Sequence, residues 1–576
     1  MMQPFTAKAQ GRADGAGQTF HFLTEQYFDQ VYFKYAPTAG TSAGFHQYDE
    51  QLEDYSRAGI GKQVADLQTY EKKFEAIDPT ALDAPVAADR AMVISNIKST
   101  LLTLRTVRPW EKNPDWYSSN LTNSIYVLIS RRFASPDVRL RSVVEREKQI
   151  PAALADARVN LKNPPQIYTQ IALEQLPDII SFFQNDVPSA FPDAKDPDLK
   201  AEFSKSNAAV IAALQSYQTW VKADLLPRSN GDFRLGAATF AEKLKDDEMV
   251  DIPLDRLLQI GYADLHKNQA EFARIAREVD PTKTPRQVLA ELAAMHPAPD
   301  QLLQAFRNQF SSLIQFIREK HIVTIPSDVR PTLEETPPFM RATTFASMDT
   351  PGPYETHSTT AYFNVTLPDK DWSPQRVSEY MASFNIGTIV STAVHEAYPG
   401  HYIQFLWLPR APGKVRKLLG ANTDVEGWAH YCEQMMLDEG YGQPGFGAKD
   451  ARQAKLIRLG QLQDALLRDA RFIVSIRMHT GVGGPLTVDQ AVDVFVNEGY
   501  QSRAVGTVEA KRGTEDPTYL YYTLGKLEIM KLRADVEKKQ GAAFSLEKFH
   551  DAFLAQGFPP VKIVRQAMLG NDSPVL

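Results

Sequence analysis

The residues best suited to chemistry are concentrated in the second half of the chain. Of 11 histidines, five (His357, His395, His401, His430 and His479) fall between residues 357 and 479. The densest run is His395-Glu396-Ala397-Tyr398-Pro399-Gly400-His401. Two imidazoles around a carboxylate suit a hydrolytic metal site, because neutral ring nitrogens bind a divalent ion while the glutamate acts as general base. The common spacing, His-Glu-x-x-His, sets both imidazoles on one helical face at i and i+4. Here the second histidine stands at i+6, and at ~100° per residue a straight helix would point the two rings well apart. Pro399-Gly400 lies between them. Proline removes a backbone donor and clashes with the preceding turn, and glycine admits unusual dihedrals. The helix is therefore expected to break there and swing His401 back toward His395. The plainer alternative is a structural His–Glu pair followed by an ordinary Pro-Gly helix end.

A tetrahedral catalytic site needs a third protein ligand and one position left for water. Downstream, Glu426, His430 and Glu433 stand at i, i+4 and i+7, a single stripe beside the apolar Val425, Trp428, Cys432 and Met435. Glu426, 25 residues beyond His401, is the expected third ligand, with His430 as its rival. Glu433 is expected to hold the far nitrogen of a ligand imidazole; a solvated helix face is the bland reading of it. Cys432 is the single cysteine, so no intrachain disulfide and no Cys₄ or Cys₂His₂ zinc site can form. It reads as core.

Helices must position these groups. Ile386 to Ala397 is apolar on most faces, apart from Thr388, Ser391, Thr392, His395 and Glu396, and so predicts a buried helix. A buried Glu beside a buried His is costly unless paired or bound to metal. A further predicted helix from Leu456 carries Asp464, Arg468, Arg471, Ser475 and His479 on one polar stripe. Tyr519-Leu520-Tyr521-Tyr522 places three phenols in four positions before a helix that ends near Arg533. The first half of the chain predicts helix after helix, at Phe20–Tyr35, Tyr48–Ile77, Ala87–Val107, Ser135–Leu161, Asp198–Leu226 and Pro253–Val279. From about Ile322 the texture changes. Ile322–Pro326, Arg341–Phe345 and Ala361–Pro368 are short β-branched or aromatic runs between Pro-, Gly- and Thr-rich turns, and predict a small β-element. Residues 17–321 are read as a helical scaffold lobe and 322–576 as the metal-binding catalytic lobe, merged in one continuous globular unit.

The whole chain bounds these readings. It has 576 residues, 43% hydrophobic and 23% charged, with 63 Lys and Arg against 70 Asp and Glu, a formal charge of -7. An acidic balance argues against nucleic acid as partner, which demands a basic face. No apolar run approaches the ~20 residues of a membrane span. The start, Met1 to Gln10, lacks an apolar signal core. It reads either as the stump of a trimmed signal, giving a periplasmic or secreted protein, or as a cytoplasmic N-terminus.

His395-Glu396-Ala397-Tyr398-Pro399-Gly400-His401 followed by Glu426-Gly427-Trp428-Ala429-His430-Tyr431-Cys432-Glu433 resembles a bacterial family, domain of unknown function 885. Its pattern is His-Glu-Ala-x-Pro-Gly-His and then Glu-Gly-Trp-Ala-x-Tyr-x-Glu. Tyr362 to Thr366, the stretch around Arg471 and His479, and Tyr522-x-x-Gly525-Lys526 resemble its further blocks, so the likeness covers about the last 250 residues. Ser475 and Arg477 depart from the family's expected Asp and Gly, and His430 stands at a usually aliphatic position.

That family is similar to the helical gluzincin peptidases. The resemblance implies a mainly α, two-lobed metallopeptidase with a deep cleft and a small β-element beside the active site. It implies one Zn²⁺ per chain on His395, His401 and Glu426, with Glu396 as base. Tyr522 and His479 would steady the oxyanion, with Glu433 and His430 behind the ligands. Tyr362, Asn364, Lys526 and Arg471 would grip a short peptide, the Tyr362–Thr366 strand acting as an edge for backbone pairing. The rival functions are a zinc hydrolase of a non-peptide amide or ester, and a non-catalytic helical binding protein. The oligomeric state is not legible in the sequence.

Overall fold

The structure, a computed structural model, describes residues 5–337, 341 and 344–576, with side chains from Gly15 onward. It is mainly helical, and among the described residues no helix is long and apolar enough to cross a membrane. The chain forms two compact units. One comprises the residues up to Phe233 together with Pro351–Thr360; the other comprises Arg234–Thr350 and Ala361–Leu576.

Among its described residues the first unit is helix and turn apart from one isolated bridge between Pro165 and Gly231, and four of its helices begin where the chain offers both a cap and a proline. Asp83, Asn113, Ser135 and Asp196 each accept a backbone N–H from the first turn of the helix that follows, and each of those helices has Pro at its first or second position. The side-chain oxygen satisfies an orphan donor, and Pro costs nothing where no N–H partner exists. Two expected helices are shorter than the apolar pattern suggests. The Tyr48–Ile77 segment becomes helical only at Arg57, capped by Ser56. The Ser135–Leu161 segment divides at 148–149, because Pro151 opens a second helix, Ile150–Asn160.

The second unit holds the predicted chemistry. The elements of this unit that bear on the site begin with α1 (Ala237–Glu248), α2 (Leu254–Val279), α3 (Leu302–Glu319), β1 (Thr332–Glu335), β2 (Ala346–Asp349) and β3 (Tyr362–Val365). They continue with α4 (Ile386–Glu396), α5 (His401–Trp407), α6 (Asn422–Asp438), α7 (Ala451–Thr480), α8 (Arg503–Glu515) and α9 (Tyr521–Gln540). The division between units thus falls at Phe233 and not at residue 322. The reason is packing: α1 and α2 lie against α7, and α3 lies against α4, so the helices before residue 322 share a core with the ligand-bearing helices.

Two helix pairs approach through glycine. A Cβ on Gly387 of α4 would stand 2.8 Å from the Gly460 Cα of α7. A Cβ on Gly525 of α9 would stand 1.9 Å from the Thr423 carbonyl oxygen in α6. The helices are therefore closer than any side chain allows, and the residues beside those glycines are held in register.

The β-element is a three-stranded sheet in the order β1-β3-β2, parallel between β1 and β3 and antiparallel between β2 and β3. Leu333 and Phe363 point into the core, where Phe363 meets Phe306 and Phe310 of α3. The Ile322–Pro326 run forms no strand. Ile322 and Val323 are buried in the core, while Thr324 bonds to Asp551 through its amide and hydroxyl. In the Arg341–Phe345 run, Ala342 and Thr343 lie outside the described residues, and the strand begins at Ala346. Thr332–Glu335 is a strand that its acidic residues conceal from a hydrophobicity reading.

Gly525→Ala is expected to lower stability by about 2 kcal/mol or more, since the added methyl meets backbone and not a flexible tip. A thermal melt showing an unchanged midpoint would contradict this close contact.

Candidate metal centre

The run from His395 to His401 folds as a broken helix. α4 ends at Glu396 and α5 opens at His401, with Gly400 at its N-cap. Gly400 donates its N–H to the Val394 carbonyl at 2.9 Å, and a Cβ there would lie 1.8 Å from the His395 carbonyl oxygen. Its φ is -66°, so the site requires glycine for the close approach and not for a left-handed backbone. The break brings the His395 and His401 rings to 4.8 Å, nearly perpendicular at 86°.

Glu426, in the second turn of α6, completes a cluster. Its Oε2 stands 3.3 Å from Nε2 of His395 and 3.4 Å from Nε2 of His401. One ligand atom from each of the three residues lies within 4.8 Å of the other two, so the trio could hold a metal ion. Among the described residues the buried Glu426 Oε2 accepts no hydrogen bond, an expensive condition for a carboxylate oxygen. Two imidazoles and a carboxylate are a common zinc donor set, and a divalent ion at their meeting point would satisfy that orphaned oxygen.

The next layer fixes the rings. Glu433, 1% exposed, accepts from His395 Nδ1 at 2.7 Å through Oε1. Its Oε2 accepts from the Ser391 hydroxyl at 3.2 Å and meets His430 Nδ1 at 3.3 Å, and Arg468 Nη2 lies 3.2 Å from Oε1. His395 thus turns its Nε2 toward Glu426. On His401, Nδ1 faces Gln404 Oε1 at 3.5 Å, and Gln404 in turn donates to Asp424 at 3.0 Å.

The electrostatics follow from this packing. Burial opposes charge on His395, but the Glu426 carboxylate 3.3 Å away, the bond to Glu433 and the charge of Glu396 outweigh it and raise the imidazole to about 9. Burial would raise Glu426, yet the two imidazoles hold it well below the usual carboxylate range. For Glu433, burial is likewise overcome, chiefly by Arg468 and His430. His430 is pushed down to about 4 by burial. Its Nδ1 points at Glu433 and it stands outside the triad, as a support and not as the rival ligand.

Of the other residues singled out in the sequence, Glu396 is buried at the last position of α4, next to His395. Tyr522 also comes to the site, its ring 6.4 Å from that of His395. Arg512 Nη2 donates to the Tyr522 hydroxyl at 3.3 Å. Burial, then the charge of Glu426, raise the Tyr522 phenol above its ordinary range, so it stays protonated.

Three expectations need correction. His479 lies 11 residues beyond Arg468 along α7, about 16 Å of helix. Its Nε2 bonds to the Gly513 carbonyl at 2.7 Å and its ring stacks on Phe240. The polar stripe runs past the triad, so helical periodicity alone overreached. Lys526, 1% exposed, gives its Nζ to Asp264 at 2.6 Å within a buried network that includes Asp469, Asn268 and Thr523. Arg471 is similarly committed, bidentate to Glu509 at 2.7 and 2.8 Å. Neither cation is available to a substrate. Finally, β3 is the central strand, so Tyr362 and Asn364 do not lie on an edge; Asn364 is wholly buried. The outer strand next to β3 that packs on α4 is β2.

Arg468, on the polar stripe read from the sequence, and Ser391, one of the polar exceptions of the buried helix, complete the site together with Gln404, which no sequence pattern singled out. Gln404 stands at i+3 from His401, a spacing that could have marked it.

Residues 37–568 match the family described as bacterial protein of unknown function, DUF885. The chain belongs to that family. A solved protein of Shewanella oneidensis, described as a candidate lipoprotein of unknown function, is 27% identical over 96% of this chain and 99% of its own, with a TM-score of 0.78. A candidate lipoprotein of Colwellia psychrerythraea is 17% identical over 97% and 98% of the two chains, with a TM-score of 0.73, and shares the fold. No curated protein matches the chain in sequence.

Zinc added to chelator-stripped protein is expected to raise the melting midpoint, by about 2.7 kcal/mol of stabilisation at a hundredfold excess over Kd. Glu426→Gln should abolish the shift. Glu433→Gln should keep it but weaken zinc affinity about 10- to 100-fold in a competition titration.

Proposed function

We propose that the protein is a zinc-dependent metallopeptidase acting on short peptides, of the helical gluzincin kind with a substrate cleft beside the metal. The observation that carries this reading is the orphaned Glu426 Oε2, 3.3 and 3.4 Å from two imidazole nitrogens, with a second glutamate, Glu396, directly after one of them. Three protein ligands with an open fourth position distinguish catalytic from structural zinc.

In this reading His395, His401 and Glu426 hold the ion, one per chain. Zinc when bound supplies Lewis acidity toward a scissile carbonyl and lowers the pKa of a water beside it toward ~7. Glu396 takes a proton from the attacking water as its oxygen bonds to the scissile carbonyl carbon, and passes that proton to the amine nitrogen as the C–N bond breaks. Glu433 holds His395 in the tautomer that leaves Nε2 free. Tyr522 is the oxyanion donor. Its oxygen accepts from Arg512, so its own hydrogen is left to donate elsewhere. The solved relatives described as candidate lipoproteins support a site of action outside the cytoplasm.

The test is metal analysis of the purified protein combined with mass-spectrometric mapping of a peptide-library digest. Chelator-sensitive cleavage with about one zinc per chain is expected. Glu396→Gln should bind zinc and lose at least about 10²-fold in kcat; full retained activity in that variant would remove Glu396 from the mechanism. Cleavage of ester or lactam panels without peptide cleavage would transfer the site to another hydrolase class.

A further inference from the structure

The Tyr522 ring is bounded by three guanidinium groups, with carbon centres 4.7 Å (Arg471), 5.8 Å (Arg512) and 5.9 Å (Arg468) from its centroid. These cations differ in what they have left to offer. Arg471 is buried and spends Nε and Nη2 on Glu509. Arg468 is also largely buried; its Nη2 faces Glu433 and its Nη1 donates to the Asp464 carbonyl. Arg512 is different. Its side chain is 35% exposed, and among the described residues its hydrogen bonds run through Nη2, to Asp516 at 3.2 Å and to the Tyr522 hydroxyl at 3.3 Å. Asp516 is in turn shared with the Tyr521 hydroxyl at 2.8 Å, which draws part of its charge away from the guanidinium.

A guanidinium carries five N–H donors in a planar fork that matches a carboxylate. The Arg512 fork has donors to spare, reaches solvent, and is joined through one hydroxyl to the ring that lies 6.4 Å from His395. Resting on the peptidase reading above, we infer that Arg512 anchors the free α-carboxylate of the substrate, so that the enzyme removes residues from peptide C-termini. An extended chain advances ~3.3–3.6 Å per residue. One ring-to-ring step and one hydrogen bond separate the triad from Arg512, which leaves room for one or two residues between the cleaved bond and the anchored carboxylate. The released product is a single amino acid or a dipeptide.

The test uses the full-length zinc-loaded protein and one octapeptide prepared as free acid and as C-terminal amide. The free acid is expected to lose one or two residues from its C-terminus, with kcat/KM about tenfold or more above that of the amide, the worth of a charge-assisted hydrogen bond. Arg512→Ala, checked for an unchanged melting midpoint, should raise KM for the free acid by a similar factor and erase the difference between the two forms. Arg512→Lys should restore part of it. Equal cleavage of both forms, or cleavage at internal bonds, overturns the anchor while leaving the peptidase reading intact. A loss in kcat alone, equal on both forms, also overturns it and makes Arg512 a positioning residue for the Tyr522 hydroxyl. Absence of any peptide cleavage refutes the peptidase reading itself. In that event calorimetric binding of the two forms to zinc-loaded Glu396→Gln still decides the anchor, because equal affinities reject it.

Discussion

One carboxylate ties the site together. Glu433 is fully enclosed, and an unpaired charge there would cost several kcal/mol. Its two oxygens instead meet His395 and Ser391 of α4, His430 of its own helix, and Arg468 of α7. Three helices are thereby cross-linked at a single group, and the same bond that satisfies Glu433 sets which nitrogen of His395 faces Glu426. Orientation of the ligand and stability of the core are one interaction seen from two sides.

Backbone contact does the remaining alignment. Glycine pairs bring α4 against α7 and α6 against α9 at distances no side chain permits. Glu426 precedes Gly427, which itself lies against Gly525, and Tyr522 lies one turn before Gly525. The carboxylate ligand and the phenol donor are therefore placed by the same helix crossing. The break at Pro399-Gly400 adds the second imidazole, with Trp428 of α6 donating its indole N–H to the Pro399 carbonyl at 3.0 Å. The Trp of the second motif thus braces the turn within the first.

Much of this was legible in the chain because it depends on short-range rules. The i+6 spacing required an interruption, and the only breakers in the interval were Pro399 and Gly400. Glu426, His430 and Glu433 share a stripe by helical periodicity, although the period could not say which of them meets the imidazoles. Misreadings arose where a local pattern has no end marker. The stripe from Asp464 to His479 is real, but it spans more than four turns and only its first half passes the triad. Lys526 beside Tyr522 looked available, yet Asp264 lies 262 residues away in sequence and claims it. The Tyr362–Val365 strand reads well as a strand, while its central position in the sheet depends on Thr332–Glu335 and Ala346–Asp349, neither of which has a strong strand signature.

Residue types and spacings by themselves therefore determined the helical class, the broken motif, the set of groups able to bind an ion, and membership in the family that carries both motifs. These follow from periodicity, capping and coordination chemistry, all of which act within a few residues. Only the tertiary structure decided how the donors are engaged: that Lys526 and Arg471 are committed to buried Asp264 and Glu509, that His479 is bound to a carbonyl, and that among the described residues Arg512 keeps part of its fork open. Saturation of a hydrogen-bonding group is a property of its neighbours in space, and sequence distance carries no record of them.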